Sequence, residues 1–194
     1  MQYTFKYRSP LGGITIAADD EGLTGLWFDG QKYFADTLSA RHEEKMLPVF
    51  GRVREWLDCY FGGGIPGFTP PVHLQGSPFR LAVWNVLRQI PYGETVTYGE
   101  IAREIARRQG VRNVSAQAVG GAVGHNPVSI VVPCHRVVGS NGSLTGYAGG
   151  ITRKVRLLNL ERAEMSGLFV PKKGTALYAA GRCRVFSFSG CPSD

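Results

Sequence analysis

Three short apolar stretches punctuated by polar and Gly/Pro turns open the chain. Residues 2–7, 13–18 and 23–28 are rich in β-branched and aromatic side chains. They are separated by Ser9-Pro10-Leu11-Gly12-Gly13 and Asp19-Asp20-Glu21-Gly22, a pattern that predicts a three-stranded meander. The period then becomes helical over about 48–60. There Val49, Val53, Trp56, Leu57 and Tyr60 share one face and Gly62-Gly63-Gly64 stops the run. Residues 31–46 show no clear period and stay unassigned. The Pro/Gly-rich segment 62–71 reads as a linker.

From Ser77 onward the pattern is helical. Ser77-Pro78 is an N-cap followed by proline at the first helical position, and Phe79, Val83, Trp84, Leu87 and Ile90 form an apolar face. Pro91-Tyr92-Gly93 breaks this helix. Thr97-Tyr98-Gly99-Glu100 is a capping box opening a second helix, with Ile101, Ala102 and Ile105 on its core side and Gln109-Gly110 at its end. Ser115 caps a third helix through Val123. The second and third helices, joined by a short connection, suggest a helix-turn-helix. Glycine costs about 1 kcal/mol relative to alanine inside a helix. Gly120-Gly121 therefore implies close approach, either of a packed backbone or of a narrow nucleic-acid groove with Gln117 as the one long side chain. The apolar run 128–132 reads as a buried strand. Thr152 is expected to cap a last helix whose Val155, Leu157 and Leu158 pack inward, with Arg153, Lys154 and Arg156 supplying surface charge.

Composition is that of a globular chain, 43% hydrophobic and 19% charged over 194 residues. No apolar run approaches the roughly 18 residues of a membrane span, and the N-terminus lacks a signal-peptide core, so a cytoplasmic protein is expected. Cys59, Cys134, Cys183 and Cys191 lack the C-x-x-C spacing of a zinc site and give no disulfide framework. His42 and His73 are isolated and read as surface histidines, and the first part shows no catalytic constellation. The net charge of +7 is uneven. Residues 1–76 carry 7 basic and 9 acidic groups (−2), and residues 77–176 carry 13 and 5 (+8). A basic second half suits a polyanion, although a basic face without a partner is equally compatible with charge alone.

Taken alone, Cys134-His135 reads as a buried structural thiol beside a surface histidine in preference to a reactive pair. Glu161 falls at the C-terminal end of its helix, where the helix dipole disfavours a carboxylate unless it is buried or paired. The wider pattern decides between these readings. Pro133-Cys134-His135-Arg136-Val137, preceded by Asn126-Pro127 and followed by Gly146-Tyr147-Ala148-Gly149-Gly150 and 158–161, resembles the O6-alkylguanine-DNA alkyltransferases, or methylated-DNA–protein-cysteine methyltransferases. The resemblance extends upstream through residues 93–99 and 118–122, is close over 77–162, and is looser over 1–73.

The resemblance implies an α+β protein. Residues 1–73 would form a ribonuclease-H-like three-stranded sheet with a helix. Residues 77–163 would form a DNA-binding, alkyl-acceptor domain with a winged helix-turn-helix. Residues 164–194 would be an extension, in part disordered. It implies irreversible transfer of a methyl or small alkyl group from O6-alkylguanine, with O4-alkylthymine as a second candidate, to Cys134. His135 would act as general base through a water, Glu161 would orient His135, and Asn126 would brace the turn. The thioether product is not hydrolysed, so each chain would act once, with no cofactor and no metal. Tyr98, Val137, Tyr147 and Ala148 would line the pocket for a flipped base. Tyr98, Gly99, Gln117, Ala118, Gly120, Arg136 and Ser140 would face double-stranded DNA, bound by a monomer.

Three departures from the family pattern stand out. Gln117 replaces the usual intercalating arginine and lacks its permanent charge, so weaker or more salt-tolerant DNA binding is expected. The connection containing Arg107, Arg108 and Arg112 is longer than in many relatives. The Cys/His set of the N-terminal zinc site found in some relatives has no match here. The competing readings are a non-catalytic detector of alkylated bases, which Cys134 argues against, and a Cys-His-Glu acyl hydrolase, which would turn over repeatedly.

Overall fold

The structure is a computed structural model and describes residues 1–171; the reading of the terminal stretch, with Cys183 and Cys191, lies outside the described residues. Strands β1 (Gln2–Ser9), β2 (Gly12–Ala18) and β3 (Leu23–Phe28) form the antiparallel meander predicted from their β-branched and aromatic content and the turns between them. A fourth strand, β4 (His42–Glu44), extends the expected three-stranded sheet by pairing parallel to β1, giving the order β3-β2-β1-β4. Its three residues are polar and all exposed. Its pairing therefore rests on backbone hydrogen bonds and leaves no apolar signal to read. Helix α1 (Pro48–Phe61) follows, with Phe50, Val53, Trp56, Leu57 and Tyr60 buried.

β3 is an edge strand by pairing order, yet all six of its residues are buried. Two later segments, 71–73 and 127–129, cover that edge. Leu23 N–H donates to Pro71 O (2.9 Å), and His73 N–H returns to Leu23 O (2.8 Å). Leu26 N–H donates to Pro127 O (2.8 Å), and Ser129 N–H returns to Leu26 O (2.9 Å). One apolar cluster accordingly runs from Ile14 in the sheet through Trp84, Val119 and Val132 to Leu157. His73, expected to be isolated, instead pairs with Asp19 at 2.7 Å and Glu21 at 3.6 Å.

Three helices have the caps that the sequence predicts. Ser77 caps α2 (Pro78–Leu87) by accepting from Arg80 N–H. Thr97 and Glu100 make both bonds of the capping box at the start of α3 (Tyr98–Gln109). Ser115 accepts from Gln117 and Ala118 N–H at the start of α4 (Ala116–Gly124). Trp84 is buried and its indole N–H reaches Ala122 O at 2.9 Å, fixing α2 against α4.

Residues 128–132 are not a strand. Beyond the bridge between Val128 and Leu26 they turn, with Ile130 at φ 68°, and lead through a 3-10 turn (Cys134–Arg136) into β6 (Val137–Val138). β6 pairs parallel to β5 (Val96–Thr97). Burial, not strand pairing, accounts for the apolar run. The last helix, α5 (Ile151–Leu160), has Gly150 at its N-cap, so Thr152 lies inside it and does not cap it. Residues 164–171 return to the loop after β6, where Phe169 N–H bonds Gly142 O and Leu144 N–H bonds Phe169 O. No described helix is long and apolar enough to cross a membrane.

Candidate active site

The turn at 126–132 sets the geometry of the site. The Asn126 side chain spans it, with Oδ1 accepting from Val128 N–H (3.1 Å) and Nδ2 donating to Val132 O (2.8 Å). The amide orientation follows, because a backbone N–H needs the oxygen. The same Nδ2 donates to Cys134 Sγ at 3.0 Å. Cys134 is 4% exposed. Burial pushes its thiol pKa up, while the Asn126 amide and the Lys154 ammonium pull it down, with a net rise. The resting side chain is therefore a neutral thiol beside groups arranged to stabilise a thiolate.

His135 is fully buried, and its Nε2 lies 2.7 Å from Glu161 Oε1. Since a carboxylate can only accept, Nε2 carries the proton and Nδ1 offers a lone pair. Nδ1 is buried without a protein partner. Burial is the largest influence on the His135 pKa and, together with Arg136 and Lys154, outweighs the upward pull of Glu161, so the pKa falls below its usual value. The imidazole is thus neutral and available as a base. Burial tends to raise the Glu161 pKa, but His135 and Arg136 outweigh it and hold the carboxyl well below its usual range.

Glu161 is the most heavily bonded group in the site. Oε1 also accepts from Tyr60 OH (2.6 Å) and Arg136 Nη2 (2.9 Å); Oε2 accepts from Arg136 Nε (2.8 Å) and Gly93 N–H (3.2 Å). Gly93 adopts φ 77°, and a Cβ there would come within 2.8 Å of Glu161 O. The close approach requires glycine. The structure thus gives two residues roles other than those expected. Arg136, expected to face DNA, is 8% exposed and has its guanidinium committed to Glu161 and to Ile90 O (2.6 Å). Lys154, expected to supply surface charge, is fully buried and donates to Val137 O and to Thr145 O (2.8 Å), with burial lowering its pKa to about 8. Tyr60 places a side chain from the sheet unit inside the site, where the sequence shows no catalytic constellation.

A second group of expected residues meets at the N-terminus of α3. The Tyr98 hydroxyl donates to Thr145 O (3.2 Å), and burial together with the nearby Cys134 raises its pKa to about 12. A Cβ on Gly146, at φ 70°, would lie 2.5 Å from that hydroxyl, so glycine is required there too. On α4 a Cβ at Gly120 would meet only the Tyr98 ring at 3.8 Å, and one at Gly121 would meet nothing within 4 Å. Backbone packing therefore does not demand the paired glycines. They border a cavity of about 270 Å³ lined also by Gly124, Tyr147 and Ala148, together with Lys32, Tyr33 and His125. The last three were not singled out in the sequence. Tyr33 stacks on His125 with ring centroids 4.0 Å apart, and Lys32 N–H bonds Ala148 O at 3.1 Å. Val137 is fully buried, Gly99 is half-buried, and Gln117, Ala118 and Ser140 are exposed.

Both parts of the chain match known proteins. Residues 1–73 match the ribonuclease-like domain of 6-O-methylguanine DNA methyltransferase, and residues 78–163 match its DNA binding domain. The chain is 42% identical over 163 residues to the methylated-DNA–protein-cysteine methyltransferase of Haemophilus influenzae, covering 84% of this chain and 87% of that one. It is 40% identical over 170 residues to the inducible Bacillus subtilis protein of that name, covering 87% and 90%. The crystal structure of Mycobacterium tuberculosis O6-methylguanine methyltransferase superposes with a TM-score of 0.69 at 41% identity, covering 84% and 93%. A structure of the Mycobacterium tuberculosis protein in complex with DNA gives the same score at 42% identity, covering 83% and 92%. With both parts matched in order over most of its length, this chain belongs to the 6-O-methylguanine DNA methyltransferase family.

Proposed function

We propose that the protein repairs DNA by moving a methyl or small alkyl group from O6 of guanine onto its own Cys134. The observation that carries this reading is the buried thiol held by Asn126 Nδ2 at 3.0 Å, next to the His135–Glu161 pair at 2.7 Å. An sp³ carbon calls for a soft, strong nucleophile, and a thiolate is one. In the proposed step His135 Nδ1 takes the thiol proton through a water, and Sγ forms a bond to the alkyl carbon as the carbon–O6 bond breaks. The electron pair stays on the guanine, which is then protonated. Glu161 holds the imidazolium while it lasts. The product is a thioether, so each chain acts once.

The base would have to leave the stack to reach Cys134. The cavity beside α4 lies between the small residues of that helix and Tyr147–Ala148, which suits an extruded guanine. Tyr147 and Ala148 line that cavity, and Tyr98 and Val137 would complete the pocket around the flipped base once DNA is bound. Gln117, Ala118, Gly99, Gly120 and Ser140 would face the duplex, with the protein bound as a monomer. The test is mass spectrometry of the intact protein after mixing with a duplex containing O6-methylguanine. One methyl group should appear on Cys134 and be absent in Cys134→Ala. Repeated release of product by an unmodified protein would overturn the proposal in favour of a hydrolase.

A further inference from the structure

We propose that Tyr60, on the helix of the sheet unit, is a positioning residue that sets the basicity of the His135–Glu161 pair through its hydrogen bond to Glu161 Oε1. This inference rests on the alkyl-transfer reading above. Tyr60 is fully buried, its hydroxyl donates to Glu161 Oε1 at 2.6 Å, and it lies 3.5 Å from His135 Nε2. A phenol donating to an anion makes a short, charge-assisted bond, stronger than one between neutral groups. The oxygen that receives it is the one facing His135 Nε2. Each donor on that oxygen drains charge that would otherwise stabilise an imidazolium. Tyr60 therefore moderates the pull of Glu161 and keeps His135 a neutral base at rest.

Arg136 shares this oxygen, its Nη2 donating to Glu161 Oε1 at 2.9 Å, and Tyr60→Phe leaves that bond in place, so the change isolates the phenol. Arg136 holds both carboxylate oxygens. Lys154 is turned to Val137 O and Thr145 O, and Tyr92 OH to Leu160 O. Tyr147 presents its ring to His135 at 6.4 Å between centroids. Cys134 is bonded by Asn126. Among these, Tyr60 alone comes from the sheet unit. It is itself wedged in place, with its ring stacked on Trp56 at 5.3 Å and edge-on to Phe61 and Tyr92.

The test is the pH dependence of single-turnover methyl transfer from an O6-methylguanine duplex. Tyr60→Phe keeps the ring and removes the donor. Glu161 becomes more basic, the His135 pKa rises, and the acid limb of the rate profile should move to higher pH. Site-specific 3-fluorotyrosine at position 60, a stronger donor of nearly the same shape, should move it to lower pH. In a Glu161→Gln background, Tyr60→Phe should produce no shift of the limb. Opposite shifts from the two changes, lost without Glu161, are the expected result. An unmoved limb, or rates lowered equally at all pH values, would reduce Tyr60 to a packing residue and overturn the proposal. If Tyr60→Phe does not fold, the fluorotyrosine arm decides alone. Wild-type protein that gains no methyl on Cys134 would instead overturn the alkyl-transfer reading on which the proposal rests.

Discussion

Asn126 carries two tasks in one side chain. It pins the turn through Val128 N–H and Val132 O, and it donates to Cys134 Sγ. Replacing it with alanine leaves the buried Val128 N–H unpaired, at a cost of about 1–3 kcal/mol, while Val132 O keeps its bond from Cys134 N–H. Asn126→Ala should therefore lower thermal stability, read by calorimetry, and slow alkylation of Cys134, read by mass spectrometry against time. The pH dependence follows from the two buried ionisable partners. His135 has its folded pKa below its unfolded value of about 6.5. The unfolded chain thus binds the extra proton first, and stability falls as pH drops below about 6.5. Glu161 is depressed in the fold. Its contribution is present above about 4.3 and is lost as pH falls further. Urea titrations from about pH 7 down to about pH 2 should show stability declining throughout, and Glu161→Gln should flatten the part below about pH 4.3. Cys134, His135 and Glu161 were legible in the sequence because motif and spacing marked them. The duties of Arg136, Lys154 and Tyr60 were not. Burial and pairing across 25, 17 and 101 positions decide them, and no local pattern records such distances.

Among the elements, helix ends were the most legible, because a cap is a local exchange between a side chain and a nearby N–H. Ser77, the Thr97–Glu100 box and Ser115 all cap as the sequence predicts. The exception is instructive. Thr152 has the right side chain, but the chain enters α5 through Gly150 at φ 89°. The run at 128–132 failed for a different reason. Apolar content reports burial, and a buried turn tied by an asparagine has the same composition as a buried strand. β4 failed in the reverse sense, being paired but polar. Two predictions belong here. Ser115→Ala removes the cap of α4 and should cost about 1 kcal/mol, measured by thermal denaturation. Gly146→Ala should do more harm to function. Its Cβ would meet the Tyr98 hydroxyl at 2.5 Å while the backbone stays at φ 70°. Methyl transfer should slow markedly, while circular dichroism still shows a folded chain.

The molecule as a whole places its charge and its reactive turn on structures built from both halves of the sequence. The excess of basic residues lies in the second half. Nevertheless Arg136 and Lys154 are internal, so the charge offered to DNA is smaller than the sequence count implies. Gln117, exposed near the start of α4, adds none. Gln117→Arg should tighten duplex binding and steepen its salt dependence by up to about 0.9 in the log–log slope. Fluorescence anisotropy at several salt concentrations would measure both. The expected linker at 62–71 exists in composition, but the core runs uninterrupted across it. The sequence could not display this, since the pairing of β3 with residues 71–73 and 127–129 is long-range. That pairing bears on solubility as well as on chemistry. An unpaired edge strand invites pairing with other chains, and the segment that seals β3 is the one leading into Cys134. Changes that loosen the turn should therefore do more than disarm the thiol. They should uncover a buried, largely apolar edge strand and drive the protein into aggregates, visible as light scattering at temperatures where the intact protein stays clear.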